Sequence, residues 1–277
     1  MVRVREPVAR ETSLKVEINR DGPVTTVTLN RPDCRNAVDP EMARALYDAF
    51  VTFAGDSESR VAVLYGKDGA FCPGFDLKAI SEDADGWIQQ LHFGEDERDP
   101  PLGPMGPTRL TLAKPVIAAI AGPAVAGGME LALWCDLRIM EVSAYMGVYS
   151  RRWGVPFLDG GTVRLPRLIG LGHAMDLILT GRRVNADECL NMGLCNRIVE
   201  EGEALRVAQE LAVQIAGFPN QSLLADRRSV LAQHGRSFSD ALEHEYRNSI
   251  GVLHSEAVPG ARRFAEGLGR KGDFDKI

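Results

Sequence analysis

AGPAVAGGMELALWCD, residues Ala121 to Asp136, is the stretch that decides how the rest of this 277-residue chain is interpreted. A strand-like apolar run, PVIAAIAG at Pro115–Gly122, precedes the glycine pair Gly127-Gly128, and the helix-forming run MELALW follows it. Glycine allows a backbone to approach a ligand closely, and a helix start offers unpaired N–H groups to an anion. Glu130 lies one turn into that helix. The pattern therefore predicts amide donors for a developing oxyanion beside an acid or base.

The composition is typical of a soluble globular protein. Hydrophobic residues make up 45% and charged residues 25% of the chain, and the net charge of −6 argues against a nucleic-acid partner. Five cysteines without a CxxC pair argue against a zinc site or a disulfide framework. The N-terminal residues lack the apolar core of a signal peptide, and no apolar run reaches membrane-spanning length. We therefore expect a cytoplasmic protein without a bound metal and without a membrane partner.

The order of elements along the first half predicts an α/β chain. LKVEINRDGPVTTVTLNRP reads as two short strands around a turn at Asp21-Gly22-Pro23. Asp39-Pro40 is typical of a helix start, and Gly55 ends that helix. Val61–Gly66 is a buried strand. The order strand, helix, strand, glycine loop, helix repeats at Pro115–Met140, which favours short crossover units.

Two later segments differ from this pattern. Residues 81–99 carry seven acids against one arginine, and a Pro- and Gly-rich segment follows. They predict a mobile lid or variable loop with a short helix, and a solvated insertion is an equal alternative. After Arg164 the pattern is helical, with breaks at Gly172 and Gly181, a capping box at Asn185–Glu188 and two or three amphipathic helices over residues 202–250. A last helix and a basic tail close the chain.

A second glycine turn, GAFCPGFDLKAI at Gly69–Ile80, follows the Val61–Gly66 strand. Gly74 permits a tight bend, and Phe75 to Lys78 begin a helix with exposed N–H groups. If the two turns converge on one oxygen, one amide from each supplies a two-donor oxyanion hole. Ordinary βα turns produce the same pattern, so spacing alone leaves both interpretations open.

Four motifs decide between them. NRPDCRNAVD, GAFCPGFDLK, KPVIAAIAGPAVAGGMELALWCDLRI and DGGTVRLPRLIG together resemble the enoyl-CoA hydratase/isomerase (crotonase) family, over most of the chain from Val16 to Phe274. The resemblance implies a spiral of repeated ββα units over residues 13–200 and a helical C-terminal region over residues 201–277. That region mediates homotrimers, usually paired into hexamers. The resemblance also implies an acyl-CoA thioester substrate and an enolate intermediate. No separate cofactor is implied, because coenzyme A enters as part of the substrate.

The resemblance assigns the binding residues position by position. The oxyanion-hole amides are those of Phe75 and Gly127. The substrate- and CoA-binding set comprises Arg35, Asn36, Ala37, Phe75, Asp76, Leu77, Lys78, Gly127, Lys271 and Phe274. The last two match a C-terminal motif that reaches the CoA of a neighbouring subunit.

The catalytic residues follow the family less completely. Glu130 matches the first catalytic glutamate of the hydratases, and its apolar neighbours favour this role over that of a solvent-facing helix glutamate. The second glutamate should fall at Ser150, and serine is no comparable acid at neutral pH. Asp159 occupies a position that carries a catalytic aspartate in the family's dienoyl-CoA isomerases and the nucleophile in its aryl-CoA dehalogenases. An N-cap ahead of Gly160-Gly161 is the alternative role for Asp159.

Three functions remain open on the sequence. The first is a lyase that adds water to a 2-enoyl-CoA, or removes it, with Glu130 as base and Ser150 or Asp159 completing the proton transfers. The second is an enoyl- or dienoyl-CoA isomerase that uses Glu130, Asp159 or both. The third is an acyl-CoA-binding member of the family with little turnover, because Ser150 replaces the second glutamate.

Overall fold

A six-stranded sheet forms the centre of the computed structural model, which describes residues 15–93 and 102–269. The strands of this part of the chain are β1 (Val16–Asp21), β2 (Val24–Leu29), β3 (Val61–Gly66), β4 (Val116–Ile120), β5 (Pro123–Val125), β6 (Leu137–Glu141), β7 (Tyr145–Gly147), β8 (Val184–Asn185) and β9 (Arg197–Val199). The sheet has the order β1-β2-β3-β4-β6-β9, with β1 and β2 antiparallel and the other neighbours parallel. Strand β4 is wholly buried and β3 nearly so, as expected for parallel strands covered on both faces. The strands predicted around Asp21-Gly22-Pro23 and at Val61–Gly66 are confirmed.

A second sheet of three short strands, in the order β5-β7-β8, leads into the Gly127-Gly128 pair. The sequence predicts a direct passage from the strand at Pro115–Gly122 to this pair, which is wrong because β5 intervenes. Gly122 has a φ of +79°, and a Cβ atom there would lie 2.1 Å from the carbonyl oxygen of Gly69. The chain therefore turns at Gly122, and β5 pairs with β7 instead of extending the central sheet.

The helices cover the sheets and form most of the C-terminal part. The α-helices of the described residues are α1 (Pro40–Gly55), α2 (Leu77–Glu82), α3 (Ala84–Gln90), α4 (Gly127–Trp134), α5 (Gly161–Thr180), α6 (Ala186–Met192), α7 (Ala204–Gly217), α8 (Asn220–Ala232), α9 (Phe238–Val252) and α10 (Val258–Ala265). Short 3-10 turns lie at Pro32–Cys34, Pro107–Arg109 and Tyr149–Trp153, and a π-helical turn lies at Leu253–Ala257. None of these helices is long and apolar enough to cross a membrane.

Helix α1 begins and ends where the sequence predicts. The side chain of Asp39 accepts a hydrogen bond of 2.8 Å from the N–H of Met42, and Pro40 takes the first helical position. The helix ends at Gly55 and buries one apolar face, which includes Leu46 and Phe50, in the core. An N-cap and a helical apolar period are local signals, so both ends could be predicted without tertiary information.

Two predicted features around α5 and α6 are wrong. The helix continues through Gly172, and its irregular residue is Gly170, with φ +77° and ψ +160°, while Gly181 ends the helix as predicted. Asn185 precedes α6 but makes no capping hydrogen bond. Its side-chain oxygen instead accepts a bond of 2.7 Å from Nε of Arg183, which removes the acceptor that a capping box requires.

The acidic segment contains the short helix that the sequence predicts. Helices α2 and α3 follow each other directly, and neither has a buried residue. Residues 94–101 lie outside the described residues. The choice between a lid and a solvated insertion stays a prediction.

The described residues divide into two compact units between Ile215 and Ala216. The first contains both sheets, helices α1 to α6 and most of α7. In the second, α8 and α9 are joined by the side chain of Asn248, which donates to the carbonyl oxygen of Ala225 at 2.6 Å and to Oγ of Ser229 at 2.7 Å. The two or three helices predicted over residues 202–250 are confirmed as α7, α8 and α9. The domain boundary predicted at residues 200/201 precedes α7, and the assignment of the later residues to trimer contacts stays a prediction.

Candidate active site

A cavity of about 350 Å³ in the first unit brings the predicted catalytic residues together. Its wall includes Glu130, Ser150, Asp159, Phe75 and Gly127. Glu130 lies on α4, Ser150 lies in the 3-10 turn Tyr149–Trp153, and Asp159 lies just before α5. Phe75 and Gly127 belong to the two glycine turns. Residues spread over 85 positions of the chain (75 to 159) therefore meet at one surface.

The two glycine turns lie against each other through their backbones. Gly74 has a φ of +107°, and a Cβ atom there would lie 2.9 Å from the backbone nitrogen of Gly127. A parallel bridge between Cys72 and Ala124 joins the segments that lead into the turns. Glycine at position 74 is therefore required both by the left-handed conformation and by the closeness of the second turn.

The N–H groups of Phe75 and Gly127 are both left without a protein acceptor within residues 15–93 and 102–269. The peptide group before Phe75 is held through its carbonyl, since the Gly74 oxygen accepts from the N–H of Val38 at 3.0 Å. The N–H and C=O of a trans peptide point in opposite directions, so the Phe75 N–H points away from Val38. The peptide group before Gly127 is held in the same way.

The Ala126 oxygen accepts from the N–H groups of Met129 at 3.0 Å and Glu130 at 3.3 Å, inside the first turn of α4. The Gly127 N–H therefore points outward from the helix. Phe75 and Gly127 are both partly exposed and both line the cavity, so a bound ligand can accept from these N–H groups. The cavity wall thus offers two oriented backbone donors.

Glu130 is buried, with 2% of its surface exposed, which rules out a solvent-facing helix glutamate. Its Oε1 accepts hydrogen bonds from the N–H groups of Asp159 at 2.9 Å and Gly161 at 2.8 Å, at the start of α5. Burial, and then the charge of Asp159, raise the pKa of the Glu130 carboxyl well above its ordinary range, although the N–H bonds oppose the rise. Glu130 is therefore an oriented carboxyl that retains its proton more strongly than a surface glutamate does.

Asp159 is also buried, and it does not cap α5. The N-cap position is Gly160, without a side-chain cap, so that alternative is wrong. Instead, Oδ1 of Asp159 accepts from the N–H of Met105 at 3.0 Å and from the hydroxyl of Thr108. Burial raises the pKa of the Asp159 carboxyl, and the Thr108 and Met105 hydrogen bonds oppose the rise. Two carboxyls with raised pKa values thus line one cavity, and each retains its proton more strongly than a surface carboxyl does.

Ser150 lies in the cavity wall but takes no part in this network. It belongs to the 3-10 turn Tyr149–Trp153, and its hydroxyl is buried without a hydrogen-bond partner in the described part of the chain. No described residue accepts a hydrogen bond from this hydroxyl. The described residues therefore provide no acid–base chemistry at Ser150.

The eight predicted CoA-binding residues that the structure describes fall into three groups. Arg35 and Leu77 are exposed and lie in the cavity wall, as do Phe75 and Gly127. The side chains of Asn36 and Asp76 are committed to the fold: Asn36 donates to the carbonyl oxygens of Lys67 and Ala70, and Asp76 caps α2. Ala37 is buried and Lys78 is exposed, and neither lies in the wall. Lys271 and Phe274 lie outside the described residues.

Sequence reasoning missed the aromatic part of the wall. The rings of Trp87 and Phe75 lie 4.6 Å apart, and those of Tyr145 and Tyr149 lie 6.2 Å apart. Trp87, Tyr145 and Tyr149 all line the cavity. No motif in the sequence marks Tyr145 and Tyr149, and Trp87 lies in the acidic segment that predicts a lid or a solvated insertion. Met105 and Thr108, which hold Asp159, gave no signal.

The fold and the cavity together define an α/β protein with two buried carboxyls beside oriented backbone donors. The model of the enoyl-CoA hydratase/isomerase family matches residues 19–275, and the chain belongs to this family. The resemblance and the crotonase-like α/β fold predicted from the sequence are thereby confirmed. The protein is an enzyme of this family.

Named relatives agree with this assignment. An enoyl-CoA hydratase of Mycobacterium tuberculosis is 36% identical over 257 residues, which cover 90% of this chain and 92% of that protein. A carnitinyl-CoA dehydratase of Salmonella typhi is 34% identical and covers 92% of this chain and 96% of its own. The crystal structure of an enoyl-CoA hydratase from M. tuberculosis H37Rv has a TM-score of 0.82 at 32% identity, with 92% and 96% of the two chains covered. That of an enoyl-CoA hydratase from Bacillus anthracis has a TM-score of 0.82 at 29% identity, with 91% and 96% covered.

Proposed function

We propose that the protein adds water to, or removes it from, a 2-enoyl-CoA thioester through an enolate held by the amides of Phe75 and Gly127. The observation that carries the proposal is the pair of unpaired N–H groups on the same cavity wall as the buried carboxyl of Glu130. A thioester carbonyl bound by both amides would carry the negative charge of the enolate. Removing one such donor costs about 2.7–4 kcal/mol of transition-state stabilisation in enzymes of this kind.

These groups account for every bond and proton that changes in the hydration step. The oxygen of water bonds to C3 of the conjugated acyl group, and the electron pair of the double bond moves to the thioester oxygen. One carboxylate takes a proton from the water, and a protonated group returns a proton to C2. Dehydration is the reverse. The chemistry needs no cofactor, and the CoA moiety is part of the substrate.

We assign the second acid–base role to Asp159 and not to Ser150. Glu130 and Asp159 are linked by a single backbone hydrogen bond, and the pKa values of both carboxyls are raised. A pair that holds one proton in the neutral range supplies an acid and a base together. Among the residues that the structure describes, the Ser150 hydroxyl has no hydrogen-bond partner with which to exchange a proton.

The same pair supports one alternative, a double-bond isomerase. Isomerisation needs a base that takes a proton from one carbon and an acid that returns it to another, and no water has to be held. The presence of Asp159 in place of a second glutamate favours the isomerase alternative. The two reactions give different products, so a single assay distinguishes them.

Crotonyl-CoA with the purified protein tests the proposal. Hydration removes the conjugated double bond, and the absorbance of the enoyl thioester falls. Glu130→Gln keeps an acceptor for the two N–H groups but removes the acid–base function, and we expect it to lose about 10²–10⁴-fold in kcat while still binding the thioester. Glu210→Gln, at an exposed surface ion pair with Arg206, is the matched control and should leave kcat unchanged.

Three outcomes would contradict parts of the proposal. No absorbance change across short-chain, long-chain and aryl enoyl-CoA substrates would exclude hydration. A shifted double bond without a hydroxylated product would favour the isomerase. Thioester binding without turnover for every substrate would favour the acyl-CoA-binding alternative.

We also propose that the protein forms a homotrimer, or a hexamer of two trimers, and that it acts in the cytoplasm. Exposed apolar side chains on α5, including Leu171 and Leu179, support self-association. Sedimentation equilibrium of the full chain measures the assembly, and a monomer at micromolar concentration would contradict it.

A further inference from the structure

The loop between β2 and α1, residues 30–39, holds the backbone on both sides of Phe75. The N–H of Val38 donates to the Gly74 oxygen at 3.0 Å, and the N–H of Asp76 donates to the Val38 oxygen at 2.9 Å. The first of these bonds belongs to the peptide group that presents the Phe75 N–H. The direction of that donor therefore depends on where the loop places Val38.

The loop adopts a conformation that it would not keep without support. Arg35 and Asn36 both have left-handed backbones, with φ of +56° and +68°, which costs free energy in residues other than glycine. Asn36 is anchored, since its Oδ1 accepts from the N–H of Arg31 at 2.9 Å and its amide donates to the Lys67 and Ala70 carbonyls. These hydrogen bonds of the Asn36 side chain do not involve Val38.

The side chain of Arg31 connects the loop to the backbone segment that follows Phe75. One guanidinium nitrogen lies 3.1 Å from Oδ2 of Asp76 and 3.3 Å from Oδ2 of Asp39, and the other donates to the Ala37 oxygen. Ala37 and Asp76 are the neighbours of Val38 and Phe75. The guanidinium thus bridges the two backbone segments at the place where they pair. The side chains of Arg31 and Asp76 are only 21% and 17% exposed, so water screens the contact less than at the surface.

We propose that Arg31 is a positioning residue that keeps the Phe75 amide directed at the thioester oxygen, by tying the loop that carries Arg35 to Asp76. This inference rests on the proposed function of the Phe75 amide. It predicts that loss of the bridge lowers transition-state stabilisation more than it lowers affinity, because the cavity wall and Gly127 remain.

The test uses Arg31→Gln in the full-length protein. We expect kcat for the enoyl-CoA substrate to fall by about 10-fold or more, with KM within about 3-fold of wild type. Arg20→Gln, at a half-exposed arginine paired with Asp56, is the matched control and should change neither constant. A purely structural role would lower the amount of folded protein and would not separate kcat from KM.

A spectroscopic measurement reports on the donor directly. Crotonyl-CoA bound to the Glu130→Gln protein is turned over at least about 100-fold more slowly than by wild type. Its absorption moves to longer wavelength when donors polarise the thioester carbonyl. Adding Arg31→Gln should reduce this shift by about half or more, since one of two donors is misdirected. Asp76→Asn breaks the bridge from the other side and keeps the Oδ1 acceptor of the α2 cap, so it serves if Arg31→Gln does not fold.

The outcomes separate this inference from the proposed function. A shift in the Glu130→Gln protein that persists unchanged with Arg31→Gln or Asp76→Asn would overturn the role of Arg31 alone. No shift in the Glu130→Gln protein would overturn the oxyanion role of Phe75 and, with it, the role of Arg31.

Discussion

The backbone N–H of Asp159 donates a 2.9 Å hydrogen bond to Oε1 of Glu130, so the residue that carries one acidic side chain also orients the other. The N–H of Gly161 joins it at 2.8 Å, and both donors belong to the start of α5. Because the bond links main chain to side chain, changing the Asp159 side chain leaves it in place. The contributions of the two carboxyls can therefore be separated by mutation.

Asp159→Asn should lower kcat by about 10²-fold or more and leave KM within a few-fold of wild type. Asparagine keeps an oxygen for the Met105 N–H and Thr108 hydroxyl but cannot take or give a proton. Steady-state kinetics with the best enoyl-CoA substrate measure the effect, and exposed Asp226→Asn is the matched control. Full activity in Asp159→Asn would remove Asp159 from the mechanism.

Ser150→Ala should change kcat by less than about 3-fold, because the hydroxyl lost has no partner. The same change should leave the free energy of unfolding unchanged or raise it by up to about 1 kcal/mol, since an unsatisfied buried polar group is removed. Urea unfolding and kinetics on one preparation give both numbers. A loss of activity as large as that of Asp159→Asn would return the second proton transfer to Ser150.

The stability of the fold should fall as pH rises from the acidic into the neutral and mildly alkaline range. Burial and the neighbouring Asp159 charge raise the pKa of Glu130, so the folded protein binds more protons than the unfolded chain over this range. The stabilisation is therefore complete below the ordinary glutamate pKa and is lost as pH passes the raised value. Urea unfolding at pH of about 5, 7 and 9 should show a weaker pH dependence for Glu130→Gln than for wild type. Parallel curves would mean that the carboxyl is not desolvated.

Gly74→Ala should lower kcat by about 100-fold or more by pushing the two glycine turns apart. The new Cβ atom would lie 2.9 Å from the Gly127 nitrogen, at a φ of +107° that alanine rarely adopts. Gly235→Ala is the control for the backbone cost, because Gly235 also has a positive φ, of +81°, but no atom within 4 Å of a new Cβ. Both variants should lose stability, and only Gly74→Ala should lose activity. Equal activity in the two would argue against convergent donors.

Local signals explain which elements the sequence predicts well. The N-cap at Asp39, the turn at Asp21-Gly22-Pro23 and the apolar run at Val61–Gly66 each lie within a few residues, so they need no tertiary context. Strand β5 is too short to show a period, and it exists because Gly122 turns the chain toward β7. The capping box at Asn185 failed because Arg183 competes for its side chain.

The residues of the candidate site likewise divide into those that the sequence predicts and those that only the structure identifies. Glu130, Phe75 and Gly127 stand in or beside the two glycine turns, and the resemblance of those motifs to the family predicted their roles. The hydrogen bonds from Met105 and Thr108 to Asp159 join residues more than 50 positions apart, and they leave no pattern in the sequence. The contact between Arg31 and Asp76 joins residues 45 positions apart and could not be predicted from the sequence either.

The sequence by itself determined the family, the α/β class, the two glycine turns and the unusual serine at position 150, because these depend on residue type and short spacing. Only the tertiary structure decided that Asp159 and Glu130 lie in one cavity, that Ser150 has no hydrogen-bond partner among the described residues, and that the N–H of Val38 holds the peptide group before Phe75. Burial raises the pKa of both carboxyls, and burial is produced by segments distant in the chain. Acid–base character and donor direction are therefore properties of the packed fold.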